Sequence, residues 1–463
     1  MRFRVAAALV LSVLLVGGLV ALDRLVGPAQ PGQEPAVGGA VEVVPGDVSG
    51  TWFCPHGGGE GWRAWIAVAN PSDRTATLQV TTVGTAGGRV ETPAEVRPMT
   101  AAYIEVPADQ PPASSTVEFF GAPVGAGMVL SLPDRDGVAA DPCAADAARE
   151  WLVPGGTTIR GQQARLVIMN PFSIGATVEV SLVASRRIVR PGALRGLVLP
   201  PRRSASVGLN RFALGEAALT ASVRATLGRV VTGAVGISTE GVRSAIGASA
   251  PARAWVLPGT ADDGQTDLQV MVPGRQEVPF RVRAQHADGQ APLLDEAAVA
   301  GGFAERFELE AERAGLVVEA AGTRPFVVSR RTGSEDAGDG ALTAGAAPSA
   351  TRWLALTASR PGGGGARLIL VNPGGETARA RVTLLSDTGP VDAPSLGNVV
   401  LGAGRILVLD LTSVAGLRPV AAVVEVKDGT LVPAQESISP DGYAVSVGIP
   451  LEGLLGKMEN AVS

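Results

Sequence analysis

The densest concentration of chemically capable side chains is one short segment, Cys54-Pro-His56-Gly-Gly-Gly-Glu60-Gly-Trp62-Arg-Ala-Trp65. It holds one of the two histidines, one of the two cysteines and two of the six tryptophans. His56, Glu60, Trp62 and Trp65 are therefore the candidate ligand contacts, on a glycine-rich loop. The plainer reading of the same residues is an insertion loop. The glycine run neither opens a helix nor ends in Gly-Lys-Ser/Thr, so it is not a phosphate cradle. A nucleophilic triad needs a Ser or Cys beside a His and a carboxylate. His56 and His286 are the only histidines, in dissimilar contexts, and no Gly-x-Ser-x-Gly elbow occurs. Metal binding has neither Cys-x-x-Cys nor a nearby His pair to rest on. A glycosidase pair of carboxylates needs no local motif. Still, no Asp or Glu stands isolated at an apolar strand end, and Glu179, Glu308 and Glu310 alternate with apolar residues as solvated faces would. No catalytic, cofactor-binding or metal-binding residue is assigned, and the chain reads as a non-enzyme.

The elements that must position these residues begin with an address. Met1-Arg-Phe-Arg4 is basic, and Val5 to Leu22 runs without a charge. Asp23-Arg24-Leu25-Val26 follows in place of a small-residue cleavage site, which favours an uncleaved anchor over a signal peptide. Arg2 and Arg4 keep the N-terminus inside and the rest of the chain extracytoplasmic. The alternative is secretion. An even cysteine count in an exported chain reads as a disulfide, Cys54–Cys143, worth about 4–5 kcal/mol in the chain-entropy model. A net charge of −5 gives no electrostatic footprint for nucleic acid.

Internal repetition is the strongest signal. Trp65-Ile-Ala-Val-Ala-Asn70-Pro71, Arg165-Leu-Val-Ile-Met-Asn170-Pro171 and Arg367-Leu-Ile-Leu-Val-Asn372-Pro373 match one another. Asp267-Leu-Gln-Val-Met-Val272-Pro273 keeps the proline and loses the asparagine. The period is about 100 residues. Trp52, Trp151, Trp255 and Trp353 precede these segments at near-constant distance. Downstream, apolar residues alternate in register, as in Val178, Val180 and Leu182, which is the period of a half-buried strand. Asn-Pro is expected to end a strand in a turn, and each Trp to bury in its own core, rather than to bind ligand.

Each repeat parses into about seven short strands, the size and spacing of a β-sandwich. The expected fold is all-β: four tandem immunoglobulin-like sandwiches after an N-terminal membrane anchor. The expected boundaries are 1–26 anchor, 27–49 stalk, then 50–147, 148–251, 252–350 (degenerate) and 351–455. A propeller is the rival repeat architecture, but its blades run nearer 40–50 residues. Short helical pieces are expected within 134–151 and 293–302, and a linker over 333–350. Four such domains in a row would reach on the order of 150 Å.

The Trp-Phe-Cys-Pro opening at Trp52–Pro55, Cys143 before Trp151, Trp151-Leu-Val-Pro-Gly-Gly and the Asn-Pro strand ends together resemble an actinobacterial family of secreted proteins of unknown function. The resemblance covers the chain after residue 50. It implies a Gram-positive envelope location and carries no activity. The functional expectation is a non-catalytic envelope scaffold or adhesive spacer. Its partners would be the membrane, through the N-terminal helix, and envelope proteins or wall glycan. A wall-polymer-binding protein accessory to glycan assembly is the alternative, with 4% aromatic residues counting against it, and a secreted hydrolase is the remotest.

Overall fold

Alternating apolar residues punctuated by Gly and Pro leave this chain few helical options, and the computed structural model is built from antiparallel ladders. It describes residues 48–451 apart from 59–60, 85–86, 108–111, 133–136, 240, 261–264, 290, 311–312, 335–338, 412–420 and 440–441. The expected anchor (1–26), the stalk up to residue 47, Glu60 and the chain beyond 451 lie outside the described residues. No helix among the described residues is long and apolar enough to cross a membrane.

The first repeat shows the plan. Its strands are β1 (Ser49–Cys54), β2 (Arg63–Asn70), β3 (Ala76–Gly84), β4 (Arg89–Val96), β5 (Thr100–Val106), β6 (Pro112–Phe120), β7 (Gly125–Ser131) and β8 (Val138–Pro142). One sheet has the order β1-β6-β3-β4 and the other β5-β2-β7-β8. Inward residues of both sheets, among them Trp52, Ile66, Leu78, Val117 and Met128, share one buried cluster. This ladder order recurs in the three later stretches of the chain. It has eight strands where seven were expected, and it is not the A-B-E-D and C-F-G order of an immunoglobulin domain. Here the first strand pairs with the sixth, and the second lies between the fifth and the seventh.

Three local expectations change. Residues 293–299 form a strand because their charged side chains meet partners across the ladder, with Arg281 Nε 2.5 Å from Glu296. Cross-strand pairing overrides the alanine-rich local preference. The 333–350 region contributes the end of strand Val327–Ser334 and the strand Asp339–Ala344. In 134–151, β8 stands where a helical turn was expected.

The repeated residues are consumed by the fold. Trp52, Trp151, Trp255 and Trp353 are all buried. The first three indoles donate to the carbonyls of Val124, Val230 and Phe326, the residues just before each seventh strand, and Trp353 donates to Ala350. Asn170 closes a corner: its amide nitrogen donates to Ile174, Leu199 and Pro200 carbonyls, and its oxygen accepts from Phe172 N–H. Asn372 makes the equivalent four bonds; Asn70 reaches the Arg74 and Val96 carbonyls and accepts from the N–H and hydroxyl of Ser72. Val272 occupies this corner in the third repeat and is buried among apolar neighbours.

Past each eighth strand the chain crosses to pair with the Trp strand, through the bridges Phe53–Ala144, Leu152–Ala248, Val256–Ala346 and the pair Leu354–Ile449. Cys54–Cys143 is a disulfide at this crossing. The residues standing where Cys143 stands are Gly247, Gly345 and Gly448. A Cβ on Gly247 would lie 2.9 Å from Val153, so in the second repeat a valine fills the space that the first gives to sulfur.

The repeats do not extend as beads. Residues 48–463 form one compact unit. The eighth strands, β8, Val242–Ile246, Asp339–Ala344 and Gly442–Val447, touch in cyclic order, the last returning to the first. The closing joint reproduces an internal one: Ala101 N–H donates to Ser386 O at 3.0 Å, as Ile406 N–H does to His286 O at 3.3 Å. Arg97 also donates to Asp387 O at 2.7 Å. Leu354, Ile449 and Leu451 of the fourth repeat bury within the first repeat's core cluster. The period that looked too long for a propeller blade thus still closes a ring.

Candidate functional site

The start of the Cys54–Trp65 segment, Cys54 to Gly57, folds inward. Cys54, Pro55 and His56 continue from β1 into the joint with the second repeat, where Gly57 packs on Val167 and Val235. Gly57 suits the place twice over: its φ of +68° is left-handed, and a Cβ there would crowd Val235 at 3.1 Å. His56 is fully buried, with Nδ1 2.6 Å from Gly57 O and Nε2 2.9 Å from Ser115 Oγ. Burial pushes its pKa down to about 4 against the pull of the Gly57 carbonyl, so the ring is neutral at physiological pH. A neutral ring donating from Nδ1 accepts the Ser115 proton at Nε2. That is a base beside a hydroxyl, but neither side chain has a solvent-facing surface, so no substrate reaches them.

Trp65 is also buried, at the closing joint against Ala358 and Ala444 of the fourth repeat. Arg63 lies over its ring at 4.9 Å. Trp62 is half-buried against the first core. The structure therefore separates the four candidates: His56 seals one joint, Trp65 another, Trp62 covers the core, and Glu60 lies outside the described residues.

Two buried acids escaped the sequence reading. Glu436 sits in the third–fourth joint, accepting from Thr260 N–H at 2.7 Å, Thr260 Oγ1 and Tyr443 Oη, with Arg367 3.7 Å away. Burial raises its pKa despite these donors. Beside it Arg330 is completely buried and donates to Leu257, Gly259 and Ala314 carbonyls and to Thr266. Asp141 in β8 is buried too, and its carboxyl is pushed well above the carboxylate range. The signals were present, as single charges inside Val138-Ala-Ala-Asp141 and Val432-Pro-Ala-Gln-Glu436, but alternation alone cannot tell a solvated face from a joint. These groups are buried where they fasten repeats together.

Among the described residues two concave features are roomier than the ~20 Å³ gaps beside Gly155 and Leu342. One, of about 330 Å³, is lined by the segments leaving the first three eighth strands, including Cys143, Asp146 and Ser249, with Trp151 and Trp255 at its walls. The other, of about 100 Å³, lies where the second repeat's corner, Met169–Pro171 with Arg202, overhangs the outer face of the first repeat's β3, β4 and β6. Thr81, Val83, Arg89, Thr116 and Glu118 complete it.

Comparison with known proteins adds one family. The profile described as "Family of unknown function (DUF5719)" matches residues 118–355. No curated protein matches the chain. A solved structure described as "Crystal structure of tetra-tandem repeat in extending region of large adhesion protein" aligns over 86% of this chain and 98% of its own, at 13% identity and a TM-score of 0.11.

Proposed function

This chain belongs to the DUF5719 family of unknown function, and on that premise we propose that it is a non-catalytic, extracytoplasmic envelope scaffold. In this reading four tandem β-sandwich repeats close into a rigid platform that a membrane anchor holds at the cell surface. The observation that carries it is where the chemically capable residues went. His56, Glu436, Arg330, Asp141 and five of the six tryptophans are buried in cores and joints, where they hold the repeats together. A Cys54–Cys143 disulfide supports an oxidising compartment. A closed ring suits a platform that displays several faces to partners better than a spacer that gains distance.

Photo-crosslinking from exposed positions of the intact protein in its native envelope tests this. Discrete adducts with envelope proteins or wall polymer, formed from the extracytoplasmic side, are the expected result. Release of soluble fragments from purified wall by the isolated chain would overturn it in favour of a hydrolase.

A further inference from the structure

The turn between the fourth and fifth strands places one residue at left-handed φ in every repeat. These residues are Met99 (φ 53°), Arg202 (φ 50°), Gly302 (φ 85°) and Gly404 (φ 64°). In three of the turns its N–H donates to a carbonyl two residues past the corner asparagine: Met99 to Ser72, Arg202 to Phe172 and Gly404 to Gly374. Gly302 donates instead to Val272. Glycine is the inexpensive solution here, because a Cβ in this conformation crowds the following carbonyl. The third and fourth repeats adopt it. Met99 offsets its strain by packing on the first core. Arg202 has no such return: it is exposed, and among the described residues its guanidinium and the Glu118 carboxylate form no hydrogen bond or ion pair.

What Arg202 does reach is the slot at the first joint. Arg89 stands opposite on β4, held by Glu91 at 2.5 Å. Thr81 and Thr116, cross-strand partners, put two hydroxyls on the floor. Strain retained at a residue whose side chain lines a cavity points to function. We propose that this slot is a binding site for a small hydroxylated oxyanion. Arg202 and Arg89 grip a carboxylate or phosphate, and Glu118 with the two threonines takes the neighbouring hydroxyls. Guanidinium forks match planar and tetrahedral oxyanions, and a carboxylate in the same slot disfavours a bare anion while accepting hydroxyl protons. The other joints offer Gly302, Gly404 and Met99 at this position, so the site is unique to the first joint. The proposal goes beyond the scaffold reading and stands without it.

Isothermal titration of the purified, oxidised full chain separates the two anion sources, with sn-glycerol 3-phosphate in one arm, D-glucuronate in the other and glucose as the neutral control. Saturable binding of one anion with Kd below ~1 mM at low salt, and none of glucose, is expected. Arg202→Gly is the decisive variant, because it installs the fold's own solution at that φ. It should unfold at the same or higher denaturant concentration while losing affinity at least about tenfold, as charge-assisted bonds are removed. Arg89→Ala should weaken binding similarly, and Arg160→Ala, on a different loop, should not. Failure of both anions to bind, or equal affinity in a folded Arg202→Gly protein, overturns the site.

Discussion

The corner of the second repeat and the corner of the third join the same pair of strands with different chemistry and a different backbone bond. In the second, Asn170 ties three carbonyls and one N–H together, and Arg202 sits in a strained turn. In the third, Val272 fills the place with apolar bulk and Gly302 turns without strain. Two solutions to one geometry show that the corner is a requirement of the fold and that its residues are negotiable. A residue shared by the repeats therefore speaks of folding. A residue that departs from the pattern at a cost, as Arg202 does, speaks of something else.

The largest effect expected within this comparison is from Asn170→Ala. It leaves the Ile174, Leu199 and Pro200 carbonyls and the Phe172 N–H without their partner, at a cost of about 4 kcal/mol in urea unfolding. A loss below about 1 kcal/mol would mean that water replaces the amide and that the corner does not depend on it.

His56 extends the comparison to a residue peculiar to the first repeat yet buried. Its folded pKa of about 4 lies below the 6.5 usual for a free histidine, so between those values the unfolded chain binds the extra proton. Its neutral burial is harmless above pH 6.5 and costs stability progressively as pH falls toward 4, by about 3 kcal/mol in all. The difference in stability between the parent and His56→Gln, followed from pH 7 to 4, should change by that amount. Asp141 and Glu436, whose pKa values are raised, act in the opposite direction but cancel in the difference.

Val272→Asn asks whether the third corner can be converted. With Gly302 N–H already bonded to the Val272 carbonyl, the new amide enters an apolar cluster and should cost about 1–2 kcal/mol. A neutral or stabilising outcome would show the two corners to be interchangeable. The smallest effect is Arg202→Gly, a gain of up to about 1 kcal/mol from relieved strain, less the added freedom of glycine when unfolded.

Much of this was legible in the sequence. Trp52, Trp151, Trp255 and Trp353 marked a buried strand, Asn-Pro a strand-ending corner, and Cys54 with Cys143 a bond, because each is a local pattern repeated or paired. What escaped was relational. The eighth strand is short and small-sided, as in Val138-Ala-Ala-Asp141, and is fixed by the neighbouring eighth strands more than by its own alternation. Ring closure rests on contacts such as Ala101 with Ser386, which no periodicity announces. The described residues between β1 and β2 do form the expected loop, but that Gly57 is room for a neighbouring repeat is relational in the same way and has no local signal.

Small-angle scattering from residues 48–463, which contain every described strand, the cores and the disulfide, tests the closure most directly. A single compact body of this size has a radius of gyration of about 22 Å, and a value near that, unchanged by moderate salt, is predicted. A radius on the order of 40 Å or more, the value for four domains strung out over ~150 Å, would contradict the ring and restore the extended spacer.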